Sequence, residues 1–170
     1  IHNIRGDQLA LENQADLAIA IGVLHHVPDP DPVVRAVHKA LNPGGYFLVW
    51  LYGQEGNENY LRIAQPLRRL AAALPPAARI GFAVGLMPLV DLYALFCLWL
   101  PLPLRGFMRG VQAKLTWRQR LLNIYDQINP THAKYYTRDA AMRLLMDNGF
   151  QDVRCHHRRS YSWSVIGTKP

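Results

Sequence analysis

The sequence predicts an α/β fold organised on a parallel β-α-β unit, and three observations carry that expectation. Leu17 to Val23 is a near-continuous apolar run of strand length, the pattern of a strand buried on both faces of a parallel sheet. Asp31-Pro32 then opens a helix with the apolar stripe Val33, Val34, Val37 and Leu41. Asn42-Pro43-Gly44-Gly45 stops that helix and turns the chain into a second apolar run, Tyr46 to Leu51.

Each element has a local reason. Ile1 to Gly6 alternates weakly and predicts a strand ending at Asp7, and Leu9 to Ala15 a loop or short helical turn. His25-His26-Val27-Pro28 leaves the first core strand at its carboxyl end, where open α/β sheets bind ligands. Asp31 is the expected N-cap and Pro32 the first helical residue, where a missing N–H costs nothing. Asn59 to Leu74 has Ile63, Leu67, Leu70 and Leu74 at helical spacing before Pro75-Pro76 ends it. Gln119 to Gln127 reads as a short helix and Asn129-Pro130-Thr131 as a turn. Thr137 caps a helix whose expected buried face is Ala141, Met142, Leu145 and Met146, and Asn148-Gly149 ends it in the left-handed style. Strands are expected from Phe150 to His157 and from Trp163 to Gly167, the latter antiparallel and at or near a sheet edge, with a turn at Ser160 to Ser162.

Composition bounds the rest. The 170 residues are 50% hydrophobic, enough for a core of ordinary domain size. The net charge of +7 reads as solvated surface, and no nucleic-acid partner is expected from it. Cys97 and Cys155 form no C-x-x-C and are expected as free thiols. With no leader-like stretch visible at the start, a cytoplasmic location is expected. No metal is expected, because the spacing of His25, His26 and His38 fits no usual zinc pattern. His156-His157-Arg158-Arg159 reads as a solvated strand end.

The order Asp16-Leu17, Gly22 to Val27, Asp29-Pro30, then Leu41-Asn42-Pro43-Gly44-Gly45 resembles the class I S-adenosylmethionine-dependent methyltransferases, in their small-molecule branch. Tyr136-Thr137, Leu144, Gly149-Phe150 and Val153, followed by a Trp163-Ser164-Val165 terminus, resemble the family's last helix and antiparallel strand pair. The resemblance implies a Rossmann-like, doubly wound, mostly parallel sheet with an antiparallel C-terminal strand. Residues 1–52 and 137–170 would be the core, incomplete at its N-terminus, and 53–136 a helical insertion serving as a substrate cap. It implies S-adenosyl-L-methionine as cofactor and a small-molecule acceptor, lipid-linked or sugar-linked. Asp7 would accept from the adenine amino group with the backbone of Gln8 facing the ring. Ile21, Gly22 and Leu24 would pass beneath the cofactor, Gly22 permitting close approach. His25 and His26 would sit where acceptor and sulfonium meet, one of them a general base since imidazole is poised near neutral pH, with His25 the expected contact. Tyr52, Tyr125, Lys134, Tyr135 and Tyr136 are pocket candidates by position alone. The family's acidic-x-Gly-x-Gly loop is not in the chain, so weak or no cofactor binding, and no activity, is expected of it by itself. A non-catalytic Rossmann-like interaction module is the alternative.

Ile80 to Leu104 carries one charge, Asp91, and is apolar all round between Pro88 and Pro101. A helix confined to those twelve residues would be about 18 Å long, short of the roughly 30 Å hydrocarbon core. It reads as a buried cap helix. The alternative is peripheral membrane contact through 80–120, given Arg105, Arg109, Lys114, Arg118 and Arg120 just beyond.

Overall fold

A computed structural model describes residues 3–129 and 132–170. Two compact units emerge: Ile1–Asn57 with His132–Pro170, and Glu58–Thr131.

The first unit holds a four-stranded sheet. Strand β1 (Ala15–Ile21) leads through α1 (Asp31–Ala40) into β2 (Leu41–Tyr52). The two strands pair in parallel, Leu17 opposite Tyr46 and Ile21 opposite Trp50. After the second unit the chain returns as α6 (Arg138–Met146), β3 (Gln151–Arg158) and β4 (Ser162–Thr168). Strand β4 lies between β2 and β3 and is antiparallel to both, giving the order β1-β2-β4-β3. The hairpin joining β3 to β4 turns at Arg159 and Ser160, both with positive φ. The core joins Phe47, Val49 and Leu51 of β2 to Val34 of α1, to Ala141, Leu144 and Leu145 of α6, and to Trp163 and Val165 of β4.

Several local expectations give way. Of Ile1 to Gly6, the first two residues lie outside the described residues. Asn3 to Arg5 is not a strand, and a 3-10 turn covers Gly6–Gln8. Strand β1 is buried on one face only. Ala18 and Ala20 join the core, whereas Leu17, Ile19 and Ile21 are more than half exposed, because no described element covers that face of the sheet. The N-cap of α1 is Pro30 rather than Asp31. Asp31 Oδ1 instead accepts a 2.8 Å bond from Asn148 Nδ2 at the end of α6, an attachment between two helices that the sequence pattern does not reveal. On α6 the buried face is Ala141, Leu144 and Leu145, with Met146 exposed. Thr137 caps it through the Ala140 N–H as expected, and Gly149 has the positive φ of a left-handed helix end. Of the turn at Asn129-Pro130-Thr131, only Asn129 is described.

The second unit is helical: α2 (Glu58–Ala72), α3 (Pro76–Trp99), α4 (Arg105–Gly110) and α5 (Trp117–Ile128). It begins at Glu58 rather than at residue 53. Residues 53–57 belong with the sheet because Asn57 Nδ2 donates to the carbonyls of Gly53 and Tyr161, each at 2.7 Å. Residues 132–136 do so because Tyr136 N–H donates to Tyr52 O and Gln54 N–H to Tyr136 O. Its core is Ala71, Ala83, Met87, Ile124 and Ile128. Small Ala64 and Ala71 are buried on α2 while Ile63 and Leu70 are exposed, the reverse of the apolar spacing in the sequence. Helix α3 continues unbroken through Pro88 for 24 residues, twice the expected length. A proline removes one ladder bond and need not end a helix held by its neighbours. Thr116 and Gln119 form a capping box at the start of α5.

Candidate functional site

The site is assembled where β1 ends. Gly22 has φ +75°, a conformation L side chains rarely adopt, and among the described residues no heavy atom lies within 4 Å of where a Cβ would stand. The glycine is thus required by the backbone and leaves open space above it. The chain then makes a single 3-10 turn over Leu24–His26, closed by His26 N–H to Val23 O and Val27 N–H to Leu24 O.

That turn sends consecutive side chains in different directions. Leu24 is 1% exposed, a core residue, so any ligand contact there is through its backbone. His25 is 0% exposed. Its ring centroid lies 3.9 Å from that of Tyr52, 4.3 Å from that of His26 and 5.6 Å from that of Trp50, the last in an edge-to-face arrangement. Among the described residues, neither ring nitrogen has a partner in hydrogen-bond geometry. Burial first, and then the neighbouring His26, lower its pKa to about 4, the Trp50 backbone offsetting a part. His25, the contact that the resemblance led one to expect, is therefore enclosed here as a neutral aromatic packing residue. The reason lies in β2, whose Trp50 and Tyr52 enclose it.

His26 is exposed. Its Nδ1 lies 3.0 Å from the His132 carbonyl, which can only accept, so Nδ1 carries the proton and the lone pair is on Nε2. The His132–Tyr136 segment is held to the turn by Lys134 N–H donating to His25 O. It also stacks Tyr135 on Tyr52 and sets Lys134 Nζ 4.9 Å over the Tyr136 ring. Of the positional candidates, Tyr52, Lys134, Tyr135 and Tyr136 thus gather beside the histidines. Tyr136 is buried, and burial followed by Asp31 raises its hydroxyl pKa to about 12. Tyr125 packs in the helical unit instead. The His132 carbonyl is the partner of His26 that sequence reasoning missed. A backbone acceptor more than a hundred residues away has no side-chain signature.

On the near side of the same turn, an open cleft of about 550 Å³ is lined by Arg5, Gly6, Asp7, Val27, Pro28 and Asp29. Asp7 is therefore beside the loop that follows β1, with Gln8 exposed next to it. Its carboxylate is not idle, since Arg5 holds it in a two-point pair, Nε to Oδ1 at 3.0 Å and Nη2 to Oδ2 at 2.8 Å. Ile21 is 60% exposed just ahead of Gly22. Val27 and Pro28 give the cleft an apolar wall and Asp7 an acidic acceptor, a lining compatible with an adenine ring, while Ile21 and Gly22 are not among its lining residues.

A parallel β-α-β unit with a ligand-sized opening at the strand's carboxyl end and an antiparallel C-terminal hairpin defines a Rossmann-like nucleotide-cofactor fold. A family model described as a methyltransferase domain matches residues 1–154. The chain belongs to that family, the S-adenosylmethionine-dependent methyltransferases, and S-adenosylmethionine is the family's cofactor. Solved structures of the same fold include an S-adenosylmethionine-dependent methyltransferase of Thermotoga maritima, 12% identical, covering 97% of this chain and 61% of that one at a TM-score of 0.51. Another is a Methanosarcina mazei methyltransferase, 15% identical, covering 98% and 65% at 0.51. Human N-acetylserotonin methyltransferase, solved with S-adenosylmethionine, is 15% identical and covers 99% and 33% at 0.50. An uncharacterised Synechococcus protein is 29% identical over 79 residues, 46% of this chain and 19% of its own length. The chain therefore spans about a fifth of that relative and a third to two thirds of these structures.

Proposed function

We propose that this chain serves methyl transfer to a small-molecule acceptor, with His26 as the proton acceptor. The observation that carries the reading is the bond from His26 Nδ1 to the His132 carbonyl, which fixes the tautomer and leaves a basic Nε2 on an exposed edge. S-adenosylmethionine, when bound, supplies an electrophilic methyl group on a cationic sulfur. His26 Nε2 takes the proton of an acceptor hydroxyl as that oxygen becomes nucleophilic, and the resulting imidazolium keeps its Nδ1–H bond to the carbonyl. His25 and Tyr52 support the His26 ring from beside it at 4.3 Å and 5.7 Å. Ile21, Gly22 and the backbone of Leu24, with Asp7 and Gln8, form the cofactor side. In this proposal the chain by itself binds the cofactor weakly. A cytoplasmic location belongs to the same reading.

The test is turnover at saturating donor, read as S-adenosylhomocysteine released with phenol, sugar-alcohol and amine acceptors. His26→Gln is expected to lower kcat by roughly 10²–10⁴-fold, the usual contribution of a positioned base, while calorimetric cofactor affinity is kept. Unchanged turnover removes His26 from the reaction. The pairing of Asp7 with Arg5 favours a second reading, a non-catalytic interaction module. Absence of cofactor binding even at millimolar concentration together with absence of turnover would select it.

A further inference from the structure

The helical unit carries a surface that methyl transfer does not require. Helix α3 is 24 residues long, with a mean hydropathy of 1.9 over its most apolar stretch, and only 17% of that stretch is buried. Ala83 and Met87 face the unit's core, and Cys97 is buried on the same side. On the opposite side Val84, Leu89, Leu92, Leu95 and Phe96 are exposed, and Trp99 is 82% exposed. A helix apolar on both sides is either enclosed or in lipid, and the described residues of its own unit do not enclose this one. Within its own unit, then, the helix is not the buried one that the sequence pattern suggests.

Charge says what covers it. From Pro76 to Arg120 the basic residues are Arg79, Arg105, Arg109, Lys114, Arg118 and Arg120, against Asp91 alone. Asp91 is itself neutralised by Arg120 at 2.8 Å. Arg105 donates to the Cys97 and Leu98 carbonyls and so folds the basic segment back onto the end of α3. Arg109, Lys114 and Arg118 are exposed. A second copy of the chain would set this cationic unit against itself, which like-charge repulsion opposes. An anionic surface complements it. Trp99 and Trp117, both exposed, stand at the ends of α3 and α5, and indole rings favour the headgroup level. A crossing helix is disfavoured although α3 is long enough. Helix α5 packs along it through Leu121, Ile124 and Tyr125, so crossing would draw Arg120, Asn123 and Asp126 toward hydrocarbon.

We propose that the exposed side of α3, with the basic residues of α4 and α5, docks in the plane of an anionic lipid bilayer without crossing it. Vesicle binding needs neither donor nor acceptor, so its failure and failure of the methyl-transfer reading are separable. The test is co-sedimentation of the full chain with vesicles of equal parts phosphatidylglycerol and phosphatidylcholine, and with phosphatidylcholine alone. The chain should pellet with the anionic vesicles, be released by high salt or alkaline carbonate, and bind neutral vesicles far less. Each basic residue near an anionic surface contributes about fivefold, so Arg109→Glu with Arg118→Glu should lower the partition constant by roughly thirtyfold or more. Leu92→Asp with Leu95→Asp should abolish pelleting with the charges intact. All four side chains are exposed, and an unchanged circular dichroism spectrum verifies the fold of each variant. No pelleting at low salt, or equal binding to neutral vesicles, overturns the proposal. So does retention through carbonate, which means a crossing helix. Vesicle-independent dimerisation that Leu92→Asp breaks, with vesicles unbound, assigns the surface to a second copy and overturns it too.

Discussion

His25 makes the chain's stability depend on pH in a way that can be worked out in advance. Its ring is wholly buried against Tyr52, Trp50 and His26, and burial holds its pKa at about 4 against 6.5 in the unfolded chain. A folded pKa below the unfolded one means that the unfolded state binds the extra proton first. Stability contributed by the neutral ring is therefore present above about pH 6.5 and is lost as the pH falls from there toward the folded value near 4. Between about pH 8 and about pH 5 that loss is roughly 2 kcal/mol, out of roughly 3 kcal/mol for the full shift. Urea denaturation at the two pH values measures it, compared between the wild type and His25→Leu, which keeps an apolar side chain of similar size. His38 is also lowered, by burial and then by Lys169, and adds loss of the same sign. That background is common to both proteins and cancels in the difference. The variant should lose less stability by roughly 2 kcal/mol over this interval. An equal loss in both proteins, or a His25 proton resonance titrating near 6.5, would refute the burial reasoning.

Two other substitutions test the frame and the cofactor side. Asn148→Ala removes the donor to the Asp31 carboxylate and to the Leu144 carbonyl, both at 2.8 Å. It should cost roughly 1–3 kcal/mol in urea with the denaturant slope unchanged, and an unchanged midpoint would show that water replaces the link. Asp7→Ala should weaken S-adenosylmethionine binding by roughly 1–3 kcal/mol in calorimetry. Affinity equal to wild type would mean that the Asp7–Arg5 pair is structural.

What could be read in the chain beforehand was local. The run from Leu17 to Leu51 announces strand, helix and strand because apolar period, proline and glycine act within a few residues of themselves. Thr137 and Gly149 mark the ends of α6 for the same reason. Those same residues carry the family resemblance, so cofactor class and fold class were legible together. Choices between neighbours were not. Nothing in a His-His pair says which ring is enclosed. Trp50, Tyr52 and the His132 carbonyl decide that, from elements brought alongside only when the chain closes on itself.

The sequence by itself determined the β-α-β order, the loop of candidate residues and the apolar, basic-flanked character of 80–120, all properties of short-range pattern. Only the tertiary structure decided that Leu17, Ile19 and Ile21 line an open side of an edge strand. It also decided that α3 runs through Pro88 with one side uncovered, and that His26 rather than His25 presents a nitrogen. Burial depends on which segments pack together. Packing joins residues more than a hundred positions apart, where hydrophobic period and capping signals carry no information.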